Sequence, residues 1–202
     1  MHKRIAFIIL IGNVLLWGCK SDQQEEPVEG RYIEEIRKET IHFSDGSTYE
    51  LDVKPETRVF YLVRHAEKDT FPQHDPDLTP EGLKRADRLF EILKGTRVDD
   101  IYSTLTMRTL ATGEPLANGK GLKMRPYESR KMKELYQTIV DSTRAKRIVV
   151  IGHSNNLPAF VNYLGDKEWF NQSWDESDYD NLVIILDQDD NKEVLPLRYT
   201  LK

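Results

Sequence analysis

Val59-Phe60-Tyr61-Leu62-Val63-Arg64-His65-Ala66-Glu67 decides the architecture. Its five leading residues are apolar or aromatic and β-rich, too few for a buried helix, so they read as a strand covered on both faces. The run stops abruptly at Arg64 and His65. Two other apolar runs stop in the same manner: Ile101-Tyr102-Ser103 leads toward Arg108, and Ile148-Val149-Val150-Ile151 leads into Gly152-His153-Ser154. In open α/β sheets the functional site lies beyond the carboxyl ends of the strands, which places two arginines and two histidines on one rim.

The surrounding pattern agrees with such a sheet. Strands are expected at 58–63, 100–103, 147–151, 182–186 and 194–199. Thr79-Pro80-Glu81 opens a helix as N-cap and first turn, Leu83, Ala86, Leu89, Phe90 and Leu93 give it an apolar stripe, and Gly95 stops it. Further helical patterns cover 107–117, 130–143 and 156–164. Ahead of them, 40–43 and 47–53 alternate in polarity around Ser44-Asp45-Gly46, as a hairpin does. Alternating strands and helices predict a three-layer α/β/α sandwich with a mostly parallel central sheet, preceded by a short β-hairpin.

At 202 residues the chain suits one domain plus a tail, and its net charge of -5 lacks the basic excess that nucleic-acid binding usually requires. The start departs from the globular composition. Met1-His2-Lys3-Arg4 is basic and 5–17 is almost unbroken apolar sequence ending at Gly18-Cys19, a signal-peptide layout too short for a comfortable membrane span of ~20 residues. The alternatives are an uncleaved anchor helix or a buried segment. Cys19 is the only cysteine, so no disulfide can form within the chain. The next stretch, Lys20-Ser21-Asp22-Gln23-Gln24-Glu25-Glu26-Pro27-Val28-Glu29-Gly30, has too few apolar residues to offset its ordering entropy and reads as a tether. The expected organisation is therefore a leader over 1–19, a tether over 20–31 and a folded domain over 32–202.

Leu15-Leu16-Trp17-Gly18-Cys19 resembles the lipobox of bacterial lipoproteins. That resemblance implies cleavage before Cys19, lipidation of its sulfur and anchoring in the cell envelope, on the periplasmic side or at the outer membrane. Lys20, rather than Asp, after the cysteine leaves the outer membrane open.

Taken singly, Arg64 and Arg108 suit solvated charges, and His65 or His153 a hydrogen-bonded core histidine. Together they are a crowd of cations at strand ends, which persists most easily when an anion bridges it. Phosphate fits, because it matches the planar fork of arginine. Leu62-Val63-Arg64-His65-Ala66-Glu67 is similar to the Arg-His-Gly signature of the histidine phosphatase superfamily. Asp77-Leu78-Thr79-Pro80-Glu81-Gly82 resembles that family's helix start, Tyr102-Ser103-Thr104 followed by Arg108 its second-arginine segment, and Gly152-His153-Ser154 its second-histidine segment. Two departures stand out: Ala66 replaces the usual glycine, and Ala111-Thr112-Gly113 replaces the common Gln-Thr-Ala, which removes one polar side chain near the site.

The resemblance implies hydrolysis of a phosphomonoester, or of a phosphohistidine on a protein, through a phosphohistidine on His65. Arg64, Arg108 and His153 would bind the substrate's phosphoryl oxygens; no metal and no cofactor is implied, since side chains supply the positive charge. The leaving oxygen needs a proton, for which Glu128 and Glu67 are the candidates, either of them equally readable as a plain surface carboxylate. The short stretches between motifs leave no room for a large cap domain, so partners are expected to be small phosphorylated substrates or a phosphoprotein, together with the membrane through Cys19. Two alternatives stay open: a phosphoglycerate-mutase-type isomerase, and a catalytically silent envelope lipoprotein that binds phosphate. Nothing in the sequence points to an oligomeric state. His74, Asp75 and Asp77 lie in a proline-punctuated loop with no fourth metal ligand in sight, and read as loop or pocket rim. Trp169, Phe170, Trp174 and Tyr179 are expected in the core first and at the substrate rim second.

Overall fold

The structure is a computed structural model in which residues 31–142, 144–188 and 191–201 are described. The leader, Cys19 and the tether up to Gly30 lie outside the described residues.

The central sheet has six strands in the order β6-β5-β7-β4-β8-β9. Strand β4 (Arg58–Arg64) sits inside it, parallel to β7 (Arg147–Gly152) on one side and antiparallel to β8 (Asn181–Gln188) on the other. Strand β7 in turn pairs in parallel with β5 (Asp100–Ser103), and β5 with the short β6 (Met124–Pro126). Strand β9 (Asn191–Arg198) closes the other edge against β8.

Alternation along β4 divides the core. Val59, Tyr61 and Val63 face one layer with Leu89, Ile92 and Leu93 of α1 (Pro80–Leu93) and Leu116 of α2 (Met107–Lys120). Phe60 and Leu62 face the other, with Leu135 and Ile139 of α3 (Met132–Ser142) and Leu157 and Phe160 of α4 (Leu157–Leu164). Both faces of β4 are thus covered, which is why its sequence is continuously apolar rather than alternating. The architecture is the three-layer sandwich expected from the pattern.

Three antiparallel strands, β1 (Ile33–Arg37), β2 (Thr40–Phe43) and β3 (Thr48–Glu50), form a separate small sheet. The expected hairpin is its β2–β3 half, and β1 is an addition. Ile33, Ile36, Ile41 and Phe43 bury against the α1 layer.

Helix α1 starts as its sequence directs: the Thr79 hydroxyl accepts the N–H of Gly82 at 3.1 Å and Pro80 occupies the first turn. Leu83, assigned to the apolar stripe, is instead 53% exposed. The buried face runs through Gly82, Arg85, Ala86, Leu89, Ile92 and Leu93, and position 83 falls beside it. Helix α2 extends three residues past the expected end and stops at Gly121, whose φ of 65° is the left-handed conformation favoured by glycine after a helix.

Candidate active site

The carboxyl ends of β4 and β7 lie side by side, Arg64 paired with Gly152, and the N–H of His65 donates to the carbonyl of Gly152 at 2.9 Å. This backbone bond brings His65 next to His153, and their rings meet edge to face with centroids 5.4 Å apart. Arg64, His65, Arg108 and His153, which the sequence scatters over 90 positions, form one cluster, and each arginine adds positive charge that bears on both histidines.

His65 is 3% exposed, and its Nδ1 lies 2.8 Å from the carbonyl of Ala66. A carbonyl only accepts, so Nδ1 carries the proton and Nε2 keeps its lone pair. Burial pushes the imidazole down from 6.5 to about 3, opposed by the Ala66 hydrogen bond and reinforced by Arg64, His153 and Arg108. His65 is therefore neutral at pH 7, as a nitrogen nucleophile must be. His153 moves the same way, to about 4, through burial and then Arg108 and Arg64, with Glu176 and Asp75 pulling against them. Its Nε2 meets the Thr104 hydroxyl at 2.9 Å, and its backbone N–H donates to Asn156 Oδ1 at 2.8 Å.

Arg64 is fully buried. Its Nη1 donates to the carbonyls of Asp175 and Asp178 at 2.7 and 2.9 Å, its Nη2 to Glu176 Oε2 at 3.0 Å, and its guanidinium lies over the Tyr179 ring at 4.3 Å. Arg108 Nη1 reaches Asp75 Oδ1 at 3.3 Å, and the same oxygen accepts the N–H of Met107 at the start of α2. The Nε–H groups of Arg64 and Arg108 are buried with no hydrogen-bond partner. An unpaired buried donor costs about 1–3 kcal/mol, so both arginines hold bonding capacity in reserve for an incoming acceptor.

Neither carboxylate chosen from the sequence joins this cluster. Glu67 turns to Arg85, whose Nε lies 2.7 and 2.9 Å from its two oxygens. Glu128 is exposed and pairs with Lys131 at 2.8 Å. Two other carboxylates do join: Asp75, on Arg108, and Glu176, which bonds Arg64 with one oxygen and the Ser154 hydroxyl with the other. The Ser154 bond, then Arg64, Lys68 and Arg108, hold its carboxyl below the usual carboxylate range against the opposing effect of burial.

The departure at residues 111–113 keeps its central hydroxyl: Thr112 accepts the N–H of Ala66 at 2.9 Å and donates to the carbonyl of Arg108 at 2.7 Å, tying the loop after His65 to α2. Trp174 is buried in the core, with Phe170 and Trp169 packed against it, whereas Tyr179 lies 6.0 Å from the His65 ring and belongs to the site. Asp75 serves Arg108 and α2, and among the described residues no group of three His, Cys, Asp or Glu side chains could hold a metal ion.

Residues 60–130 match the sequence profile of the histidine phosphatase superfamily (branch 1), which shows over that segment the resemblance carried by the motifs. No curated protein matches the chain. Solved structures share the fold at low identity. Bacillus stearothermophilus YhfR superposes with a TM-score of 0.58 and 17% identity, covering 71% of this chain and 98% of its own. A phosphoserine phosphatase from Entamoeba histolytica, solved with 3-phosphoglyceric acid, gives 0.56 and 15%, covering 71% and 98%. SixA from Agrobacterium tumefaciens, named a phosphohistidine phosphatase, gives 0.53 and 18%, covering 68% and 95%.

Proposed function

We propose, from the superfamily match and the clustered strand-end residues, that this protein is a phosphatase acting through a phosphohistidine on His65. Its substrate class is a phosphomonoester or a phosphohistidine on a protein. The observation that carries the proposal is the pairing of a neutral histidine, proton fixed on Nδ1 by Ala66, with two arginines that each keep a buried, unpaired Nε–H.

The chemistry divides among these residues. Nε2 of His65 attacks phosphorus, while Arg64, Arg108 and His153 hold the equatorial oxygens, where charge gathers in the transition state. The Ala66 carbonyl supports the positive charge that develops on the phosphorylated imidazole, because Nδ1–H donates to it more strongly as that charge grows. Water then attacks phosphorus and His65 leaves as a neutral imidazole. Side-chain cations supply the charge that a metal supplies in other phosphatases, so turnover is expected to be independent of metal. A mutase would hold its product and return the phosphoryl group, and a silent binder would not place an unprotonated nitrogen among the anion-binding groups. Both alternatives rank below hydrolysis.

The lipobox-like end and polar tether support anchoring of the domain to the cell envelope through Cys19. The catalytic reading is tested in one experiment: the domain lacking residues 1–19 is given labelled p-nitrophenyl phosphate with and without chelator. Turnover unaffected by chelator, with acid-labile phosphate trapped on His65, is expected. Activity lost to chelator and restored by a divalent metal would refute the mechanism.

A further inference from the structure

We propose that Glu176 is the catalytic proton carrier of this site, donating to the leaving oxygen and later accepting a proton from water. The proposal rests on the phosphohistidine chemistry above. It starts from the two arms of Arg64. Nη1 is occupied by the backbone carbonyls of Asp175 and Asp178, which move only if the loop moves. Nη2 is occupied by a side chain, the Glu176 carboxylate, which is 70% exposed and is held by Arg64 and the Ser154 hydroxyl alone rather than by backbone. A phosphoryl oxygen arriving at Arg64 therefore takes Nη2 and displaces the carboxylate by no more than a side-chain rotation. Glu176 Oε2 rests where a phosphoryl oxygen will bind, which keeps it within reach of the ester oxygen once the exchange has occurred. Glu67 bonds Arg85 and Glu128 bonds Lys131, and neither carboxylate rests on Arg64.

The exchange also changes what the carboxylate prefers. In the resting site, Ser154 and then Arg64 favour its charged form. Bound phosphate withdraws the Arg64 bond and adds negative charge beside it, and both changes favour the protonated form. The proton is at hand, because a phosphomonoester has its second ionisation near pH 6 and enters partly as the monoanion. Glu176 is thus armed by the substrate it serves.

The steps balance. In the first, the bond from His65 Nε2 to phosphorus forms as the phosphorus–ester oxygen bond breaks, and the Glu176 carboxyl gives its proton to that oxygen, releasing an alcohol and leaving a carboxylate. In the second, water forms a new bond to phosphorus as the bond to Nε2 breaks, Glu176 takes the water proton and passes it to the product, and orthophosphate leaves as its monoanion with the resting imidazole and carboxylate restored.

Glu176→Gln keeps size and hydrogen bonding but carries no acidic proton. The full set of folded-domain assays uses p-nitrophenyl phosphate, phenyl phosphate and phosphoserine, whose leaving oxygens need protonation increasingly. The variant is expected to lose about 10²–10³-fold in kcat/KM on phosphoserine and under about tenfold on p-nitrophenyl phosphate, in keeping with general acid catalysis. An equal loss on all three substrates, or no loss on any, would overturn the assignment while leaving the phosphatase intact. Tighter inhibition by inorganic phosphate without leaving-group discrimination would also overturn it, marking Glu176 as an occupant of the anion site alone. A wild-type domain inert toward all three would remove the phosphomonoester reading and this proposal with it.

Discussion

The protonation of His65 makes a stability prediction that needs no substrate. An unfolded histidine titrates near 6.5, whereas the native one is held down to about 3, with burial as the largest cause. Between those values the unfolded chain binds a proton that the native site refuses. The native state is accordingly most favoured above pH 6.5 and loses stability as the pH falls toward 3. The slope approaches about 1.4 kcal/mol per pH unit, so the fall from pH 6.5 to 5 costs about 2 kcal/mol through His65 alone. His153 acts in the same direction. The assay is urea unfolding of the wild type and His65→Asn at pH 7, 6 and 5 in phosphate-free buffer, because a bound anion would favour the protonated imidazoles. The variant should lose about 2 kcal/mol less than the wild type over that range, a difference readable against a typical total of 5–15 kcal/mol. Matching slopes in the two proteins would refute a neutral, proton-excluding His65. The same origin predicts that kcat/KM for p-nitrophenyl phosphate, corrected for the ionisation of the substrate, shows no acid limb at 6.5.

Two other outcomes are expected. His153→Ala removes a transition-state donor and leaves the nucleophile, so kcat should fall about 10²–10³-fold while slow labelling of His65 persists; label appearing on His153 in His65→Ala at a rate near wild type would reverse the two roles. Cys19→Ala in the full-length chain should abolish incorporation of labelled fatty acid and release the protein from the membrane fraction, and a variant that still sediments with membranes at mature size would contradict the anchor.

The sheet was legible because strands buried on both faces leave unbroken apolar runs, as at 59–63 and 148–151, and α1 because its cap and stop are local signals. Strand β1 left no such trace. A bulge between Ile33 and Glu35 shifts its register, so its buried residues, Ile33 and Ile36, recur every third position instead of every second. Strand β6 is three residues long and contains Pro126, which an edge strand tolerates but no pattern announces. The two arginines and two histidines of the site were readable because they lie at strand ends or in the segments that follow them. Glu176 was not, since it lies in an aperiodic stretch and meets Arg64 across 112 positions of chain. Glu67 was chosen for its nearness to His65 in sequence, and a neighbour along the chain need not turn toward the same place; Arg85 draws it to α1.

The two sides of the site differ in how much change they can absorb. On the β4–α1 side, Glu67 is clamped from three directions: Thr79 donates its N–H to the carbonyl at 2.9 Å, Arg85 holds the carboxylate, and a Cβ at Gly82 would overlap the carbonyl oxygen. Even a methyl group there would push the nucleophile loop out of place, so selection has almost no freedom on that side. The opposite side, around Asp175, Glu176 and Ser177, is exposed and is held by hydrogen bonds to Arg64 and Ser154. The exposed neighbours of Glu176, Asp175 and Ser177, can change their side chains one at a time without disturbing the core. A lineage adapting this scaffold to new phosphorylated molecules would therefore drift along that soft side, while the bolted side stays as it is.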